Sequence, residues 1–290
     1  MNIVFYIAHF IKEMTIDGYN KLREELPDNY KIVWIIDVSN YKGETRHYID
    51  NQINKLKNNN IDIFVCDYST IYKGLTIRYK SVINPQVFVF SYFDKYPMLY
   101  DYYWIVEYDV WFGGSWNDFI NKIDTSDKTD FLASYFRCPQ SNPQWSHWKY
   151  RNYFSDEIKK TKELGCCLSI CRFSDKCIKI LLSYIETHKH LCGGISELYI
   201  PTIINIHSDK LSIGAFDSCE TDYHQLNQYN IGYDYCDNPS KNISCYELYQ
   251  FNYESLNECL KEHPEFKNRL ITRIKSTSKD HNEHEYTIWY

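Results

Sequence analysis

Glu107 and Asp109 stand two residues apart in YYWIVEYDVWFGGSW (Tyr102 to Trp116), a stretch otherwise almost entirely apolar or aromatic. Ionised carboxylates are almost never fully buried unless they are paired or bound to a metal. Side chains of a strand alternate between its faces, so Glu107 and Asp109 are expected to point the same way, with Tyr103, Ile105 and Trp111. Two like charges on one face repel unless a cation sits between them. Hard divalent cations such as Mg2+ and Mn2+ accept carboxylate oxygens and keep open positions for phosphate. Such a set suits a reaction in which a diphosphate departs, because the metal neutralises charge developing on phosphate oxygen. Taken alone, E-x-D is also what a water-exposed strand end looks like.

The elements that must position this pair can be read from the pattern around it. IVFYIA (residues 3–8), KIVWIIDV (31–38) and IDIFVCDY (61–68) read as strands, and 12–25 and 44–57 read as helices, with Leu22 on the inner face of the first. QVFVFSYF (86–93) is apolar throughout and fits either element. Continuous apolar strands alternating with helices indicate an α/β fold whose mostly parallel sheet is covered on both faces. Ligands of such sheets bind beyond the carboxyl ends of the strands, which puts His9, Asp37 and Asp67 near any site. The fingerprints GxGxxG and GxxxxGK[ST] are absent, which disfavours a dinucleotide dehydrogenase and a P-loop NTPase.

Gly113-Gly114 ends the acidic strand, and Ser115 caps a helix with Asp118 three residues on. Trp116, Phe119, Ile120 and Ile123 then follow at helical spacing. FLASYF (131–136) and LGCCLSIC (164–171) read as strands, separated by an aromatic loop over 138–153. Trp145 and Trp148 in that loop either stack on a sugar or anchor the loop, with packing favoured. Ser174 caps a helix that places Phe173, Cys177, Leu181 and Tyr184 on one face, holds His188 and Lys189 in its last turn, and stops at Gly193-Gly194. The pattern weakens beyond Asp209, and 272–285 is a charged tail. With no repeat and no linker, residues 1–290 are expected to form one domain: a ligand-binding half over 1–114, a second half over 115–270, and a tail over 271–290.

Composition narrows the classes further. A net charge of −6 offers no basic field for a nucleic-acid backbone. The 11 cysteines include no CxxC pair, so free thiols in a reducing compartment are expected rather than structural zinc. MNIVFYIAHF lacks the basic start and the cleavage site of a signal peptide and reads as a strand. No apolar run approaches the ~18 residues of a membrane span. The expectation is a cytoplasmic protein, and its 28 tyrosines are compatible with a homodimer.

The segment WIVEYDVWFGGSW resembles the metal-binding DxD region of GT-A glycosyltransferases. More narrowly, it is similar to a group of glycosyltransferases carrying Y-W-x-x-E-Y-D-V followed by a G-x-W turn. Tyr103-Trp104, Glu107-Tyr108-Asp109-Val110 and Gly114-Ser115-Trp116 match it. An acidic residue ahead of a Pro-Thr pair continues the pattern as Glu197, with Pro201-Thr202. The resemblance spans roughly residues 1–205; of a Y-H-P element expected further on, only His263-Pro264 is present.

This resemblance implies a GT-A-like fold and a Mn2+- or Mg2+-dependent glycosyltransferase. Its donor would be a nucleotide-sugar, expected to be a UDP-sugar, and its acceptor a glycan or glycoprotein. Asp109 would bind the metal, and Glu107 the donor ribose or the metal's water shell. His9 and Asp37 would lie near the nucleotide, Asp67 near the base, and Arg78 and Lys80 near the diphosphate. Gly113 and Gly114 would let the backbone approach the donor sugar. Glu197 is the candidate general base for an inverting transfer, since a carboxylate must take the proton of the attacking hydroxyl. His207 is a candidate third metal ligand. The rival reading is a non-catalytic nucleotide- or glycan-binding protein on a degenerate transferase fold. A metal-dependent phosphotransferase or nuclease is disfavoured by the lack of further acidic clusters.

Overall fold

Alternation along the first strand already shows how the sheet is clothed. In β1 (Asn2–Ala8), Ile3, Phe5 and Ile7 enter one apolar cluster while Val4, Tyr6 and Ala8 enter another, so both faces are buried. The structure, a computed structural model, describes residues 1–67, 86–96, 100–188, 195–216, 230–232, 261 and 270–273. β1 pairs in parallel with β2 (Tyr30–Asp37) and with β4 (Tyr102–Glu107), and β2 pairs in parallel with β3 (Ile63–Cys66). β7 (Gly165–Ser174) runs antiparallel to both β4 and β6 (Phe131–Arg137), and β6 pairs in parallel with β8 (Ile213–Ala215). The order is β3-β2-β1-β4-β7-β6-β8, a mixed and mostly parallel sheet in which only β7 is reversed among the described strands. β5 (Val110–Phe112) leaves it for a small sheet with β9 (Asn230–Gly232) and β10 (Leu270–Arg273).

Helices cover the two faces. On one, α1 (Glu13–Glu25) supplies Tyr19 and Leu22, and α2 (Gly43–Asn58) supplies Ile49, Ile53 and Leu56. A π turn (Asn117–Asn121) and α4 (Lys122–Ser126) add Phe119, Ile120 and Ile123 to that face. On the other face lie α3 (Gln86–Lys95), α6 (Asp175–Thr187) and α7 (Ser196–Ile206). Caps fall where the sequence puts them: Ser174 Oγ accepts from Cys177 N at 3.1 Å, and Ser115 Oγ from Asp118 N at 3.2 Å. The ambiguous run 86–93 is helix α3 with every residue buried. The aromatic loop contains a 3-10 helix (Ser146–Tyr153), α5 (Asp156–Thr161) follows it, and Trp145 and Trp148 are buried packing residues.

One expectation is corrected. Glu107 and Asp109 do not share one continuous strand: β4 ends at Glu107, Tyr108 and Asp109 form a turn, and β5 starts at Val110. The cause is the neighbouring strand. Tyr108 N still bonds Ile7 O at 2.9 Å, but β1 ends at Ala8, so the chain beyond has no ladder partner there and turns away. Among the described residues no helix is long and apolar enough to cross a membrane.

Candidate active site at the carboxyl rim of the sheet

Register fixes which residues meet. The pairs Ala8↔Ile36, Asp37↔Cys66 and Ile7↔Glu107 put His9, Asp37, Asp67 and Glu107 along one rim. Because β7 runs the other way, its first half reaches the same rim: Val106 faces Ile170, with Ser169 one step beyond, and Cys167 faces Ser134. α7 delivers its N-terminal turn there. Thr202 anchors it, its Oγ1 accepting from Leu164 N at 3.1 Å and donating to Leu164 O at 2.9 Å. Pro201, inside α7, has no N–H to give the Glu197 carbonyl one turn back.

A buried polar chain joins the acidic end of β4 to this helix. Gln86 Nε2 donates to Glu107 Oε1 at 3.1 Å and to Leu168 O at 3.3 Å, and Ser196 Oγ donates to Gln86 Oε1 at 2.5 Å. Next to Ser196, the Glu197 carboxylate has a neighbour at each oxygen. Cys167 Sγ donates to its Oε1 at 3.6 Å, and His147 Nδ1 lies 3.1 Å from its Oε2. His147 in turn rests on Trp145, ring centroids 4.7 Å apart. Trp145 fills the space a side chain at Gly165 would need, its Cζ3 only 2.1 Å from where a Cβ would stand. Arg137, at the end of β6, spreads its guanidinium 5.5 Å from the same indole.

The residues at the ends of β1, β2 and β3 and in the turn after β4 each have neighbours that hold them. Asp37 Oδ1 accepts from Ser39 N at 2.9 Å and from Ser39 Oγ at 2.5 Å, which orients it at the end of β2. Asp67 lies 3.9 Å from Arg46 Nη1. The Tyr41 hydroxyl donates to His9 O at 2.9 Å, and the His9 ring meets Tyr108 edge-on at 5.0 Å. Asp109 is buried in its turn, 5% exposed. The glycine turn is clamped by α1: Lys21 Nζ donates to Phe112 O at 2.5 Å and Gly114 O at 2.8 Å, while Glu25 Oε2 accepts from Trp116 N at 2.6 Å. Burial pulls the Lys21 ammonium below its ordinary value, and Glu25 partly restores it.

Other expected residues fall elsewhere. His207 caps the far end of α7, about 15 Å along the helix from Glu197 at 1.5 Å per residue. Its ring packs against Tyr184, and burial followed by Lys210 lowers its pKa. The expected triple of Glu107, Asp109 and His207 is therefore not assembled: among the described residues no three His, Cys, Asp or Glu side chains are grouped to hold a metal. Arg78, Lys80, Lys189, Gly193, Gly194 and His263-Pro264 lie outside the described residues. The thiols of Cys166 and Cys171 are buried, and burial pushes them well up, with Glu197 adding to the first and Glu107 to the second. Such burial disfavours the thiolate, the reactive form of cysteine.

Gln86, Ser196, His147 and Cys167 carry no motif and were not assigned roles from sequence. Each is identified only by a partner far along the chain, 110 residues for Ser196 and Gln86. A recess of about 640 Å3, lined by Tyr100, Asp101, Tyr102, Lys128, Asp130 and Asp175 among others, opens at the other end of β4. Its carboxylates are engaged structurally: Asp101 with the Met1 amine, Asp130 with Ser174 and Ser212, and Asp175 with Lys179. The rim, rather than this recess, gathers the groups suited to chemistry.

No family profile matches the chain, and no curated protein matches it in sequence. Among solved structures, the galactosyltransferase LgtC, in complex with donor and acceptor sugar analogues, overlaps with a TM-score of 0.42 at 11% identity, over 98% of this chain and 90% of that one. Mouse xyloside xylosyltransferase 1 gives 0.42 at 8% identity, over 94% and 96%. A mannosyltransferase from Pyrobaculum calidifontis, in complex with GDP-Man and Mn2+, gives 0.39 at 10% identity, over 74% and 54%. Overlaps of this degree leave the chemistry to be read from the site itself.

Proposed function

We propose that this chain is a Mn2+- or Mg2+-dependent glycosyltransferase that moves a sugar from a nucleotide-sugar, a UDP-sugar first among the candidates, to a glycan or glycoprotein acceptor. The observation that carries the reading is the buried link Glu107–Gln86–Ser196, which joins the acidic end of β4 to the first turn of α7, where Glu197 follows Ser196. Glu107, at the end of β4, and Asp109, in the turn after it, would offer such a cation carboxylate oxygens, the ligands hard divalent cations prefer, with water and phosphate oxygens completing the set. When bound, such a cation supplies charge neutralisation at the departing diphosphate.

The chain's own residues do the rest. Residues 1–114 form the donor-binding half, in which His9, Asp37 and Asp67 border the nucleotide and Gly113-Gly114 borders the sugar, and Arg78 is the candidate partner of the diphosphate. The half over 115–270 presents Glu197 to the acceptor. As the acceptor oxygen attacks the anomeric carbon and the bond to the diphosphate breaks, Glu197 takes the hydroxyl proton and the diphosphate keeps the bonding electrons. One direct displacement inverts the anomeric configuration. A carboxylate offers about four lone-pair sites, enough to accept from Cys167, stand beside His147 and still take a proton.

The test is donor turnover with Mn2+, with and without acceptor, comparing the wild-type chain with Asp109→Asn. A loss of about 100-fold or more is expected, in line with removing a whole electrostatic contributor. Equal turnover in the two would end the metal assignment. Nucleotide binding that needs no metal, with no turnover of any donor, would favour the non-catalytic binding protein.

A further inference from the structure

Gln86 opens α3 as a buried polar side chain, and the next four residues, Val87 to Phe90, are buried apolar side chains. It is 2% exposed, and its Ser196 partner is fully buried. Its amide orientation is dictated by its surroundings: two acceptors, Glu107 Oε1 and Leu168 O, face Nε2, and one hydroxyl donor, Ser196 Oγ, faces Oε1. Reversing the amide would set oxygen against a carboxylate and a carbonyl. Each bond therefore fixes the others.

We infer that Gln86 is a positioning residue that couples the donor-side carboxylate Glu107 to the helix turn bearing Glu197, so that the two halves of the site are set by one side chain. This rests on the function proposed above. Three features carry it. Gln86 gives Glu107 a neutral amide N–H, so this bond orients the carboxylate without adding the charge that a lysine or arginine in its place would bring. Ser196 gives its hydroxyl to Gln86, and no side-chain bond caps α7 in the usual way. The link also bridges β4 and α7, elements far apart in sequence, at the end of the sheet where Glu197 stands and not in the middle of the core. A carboxylate displaced by about 1 Å costs on the order of 100-fold in rate, so a relay of this kind sets catalytic geometry directly.

The experiment uses Gln86→Met, Gln86→Asn, Ser196→Ala and the double variant Gln86→Met/Ser196→Ala. Two readouts are taken: transfer kinetics, and calorimetric binding of UDP with Mn2+. Gln86→Met should lower kcat on the order of 100-fold and weaken Mn2+-dependent UDP binding several-fold. Ser196→Ala should lower kcat while leaving UDP binding unchanged, because it touches only the Glu197 side. The double variant should be no worse than Gln86→Met alone, because both remove one connection. Gln86→Asn keeps the amide but is one methylene too short to reach both partners. It should follow Gln86→Met, and it keeps the test open if the methionine variant does not fold. Wild-type kinetics and binding in the folded variants, or effects of the two substitutions that simply add, would overturn the relay. A wild-type chain that turns over no donor overturns the proposed function and the relay with it. An active wild type with indifferent Gln86 and Ser196 variants overturns the relay alone.

Discussion

His147 Nδ1 stands 3.1 Å from Glu197 Oε2, on an imidazole tilted 36° against the Trp145 ring. The histidine thus stands at one carboxylate oxygen while Cys167 Sγ donates to the other, and under the proposed function a carboxylate with a neighbour at each oxygen is already oriented for its acceptor. His147→Phe keeps an aromatic ring against Trp145 and removes the nitrogen. Its kcat for transfer is expected to fall on the order of tenfold, a fraction of the 10²–10⁴ a whole general base contributes. Affinity for the nucleotide, measured by calorimetry, should stay where it is. A drop in nucleotide affinity with unchanged kcat would place His147 on the donor side instead.

Much of the frame behind this pair was legible in the sequence. β1, β2 and β3 each carry a continuous apolar run, the mark of a strand buried on both faces, and Ser174 announces α6 by its cap. QVFVFSYF was not decidable, because a fully buried helix and a fully buried strand present the same unbroken apolar run. The turn at Tyr108-Asp109 was hidden for a different reason: it follows from where β1 stops, and a strand's own sequence does not record the length of its neighbour. Glu107 and Glu197 could be singled out as carboxylates in a pattern. Gln86 could not, since an amide at a helix start becomes informative only when Glu107 and Ser196 close on it. The same holds for Arg172, which lies in an apolar strand and whose partners are 45 and 48 residues away.

Arg172 is fully buried at the other end of β7, its Nη1 3.2 Å from Asp124 Oδ1 and its Nη2 2.5 Å from Asp127 Oδ1. Tyr30, Asn2 and Trp104 donate to Asp124 as well, and the guanidinium lies 4.1 Å from the Tyr102 ring centroid. Removing the guanidinium leaves two buried carboxylates, each still hydrogen-bonded, without the cation that balances their charge. Arg172→Met is therefore expected to cost about 3–5 kcal/mol in urea unfolding. The network sits at the end of β4 remote from Glu107, so any folded fraction should retain nucleotide affinity. A variant as stable as the wild type would show that the two aspartates find compensation elsewhere.

Glu163 offers a test through pH. Its side chain is fully buried, neither oxygen accepts a hydrogen bond among the described residues, and Arg151 Nη1 stands 3.6 Å away. Burial raises its pKa, with Arg151 and then Lys159 pulling back. The unfolded chain releases this proton near the ordinary glutamate value of about 4.3, whereas the native state holds it to higher pH. Between those two values the native state binds more protons, so stability contributed by this group is present below about pH 4.3 and is lost as pH rises through the native value. Glu163→Met removes the buried carboxylate. The variant should gain about 1–3 kcal/mol at pH 7, the usual cost of an unsatisfied buried polar group, and gain less at pH 4. Urea unfolding from pH 4 to 8 checks both parts. A gain that is the same at every pH would mean the methionine merely packs better and that the proton plays no part.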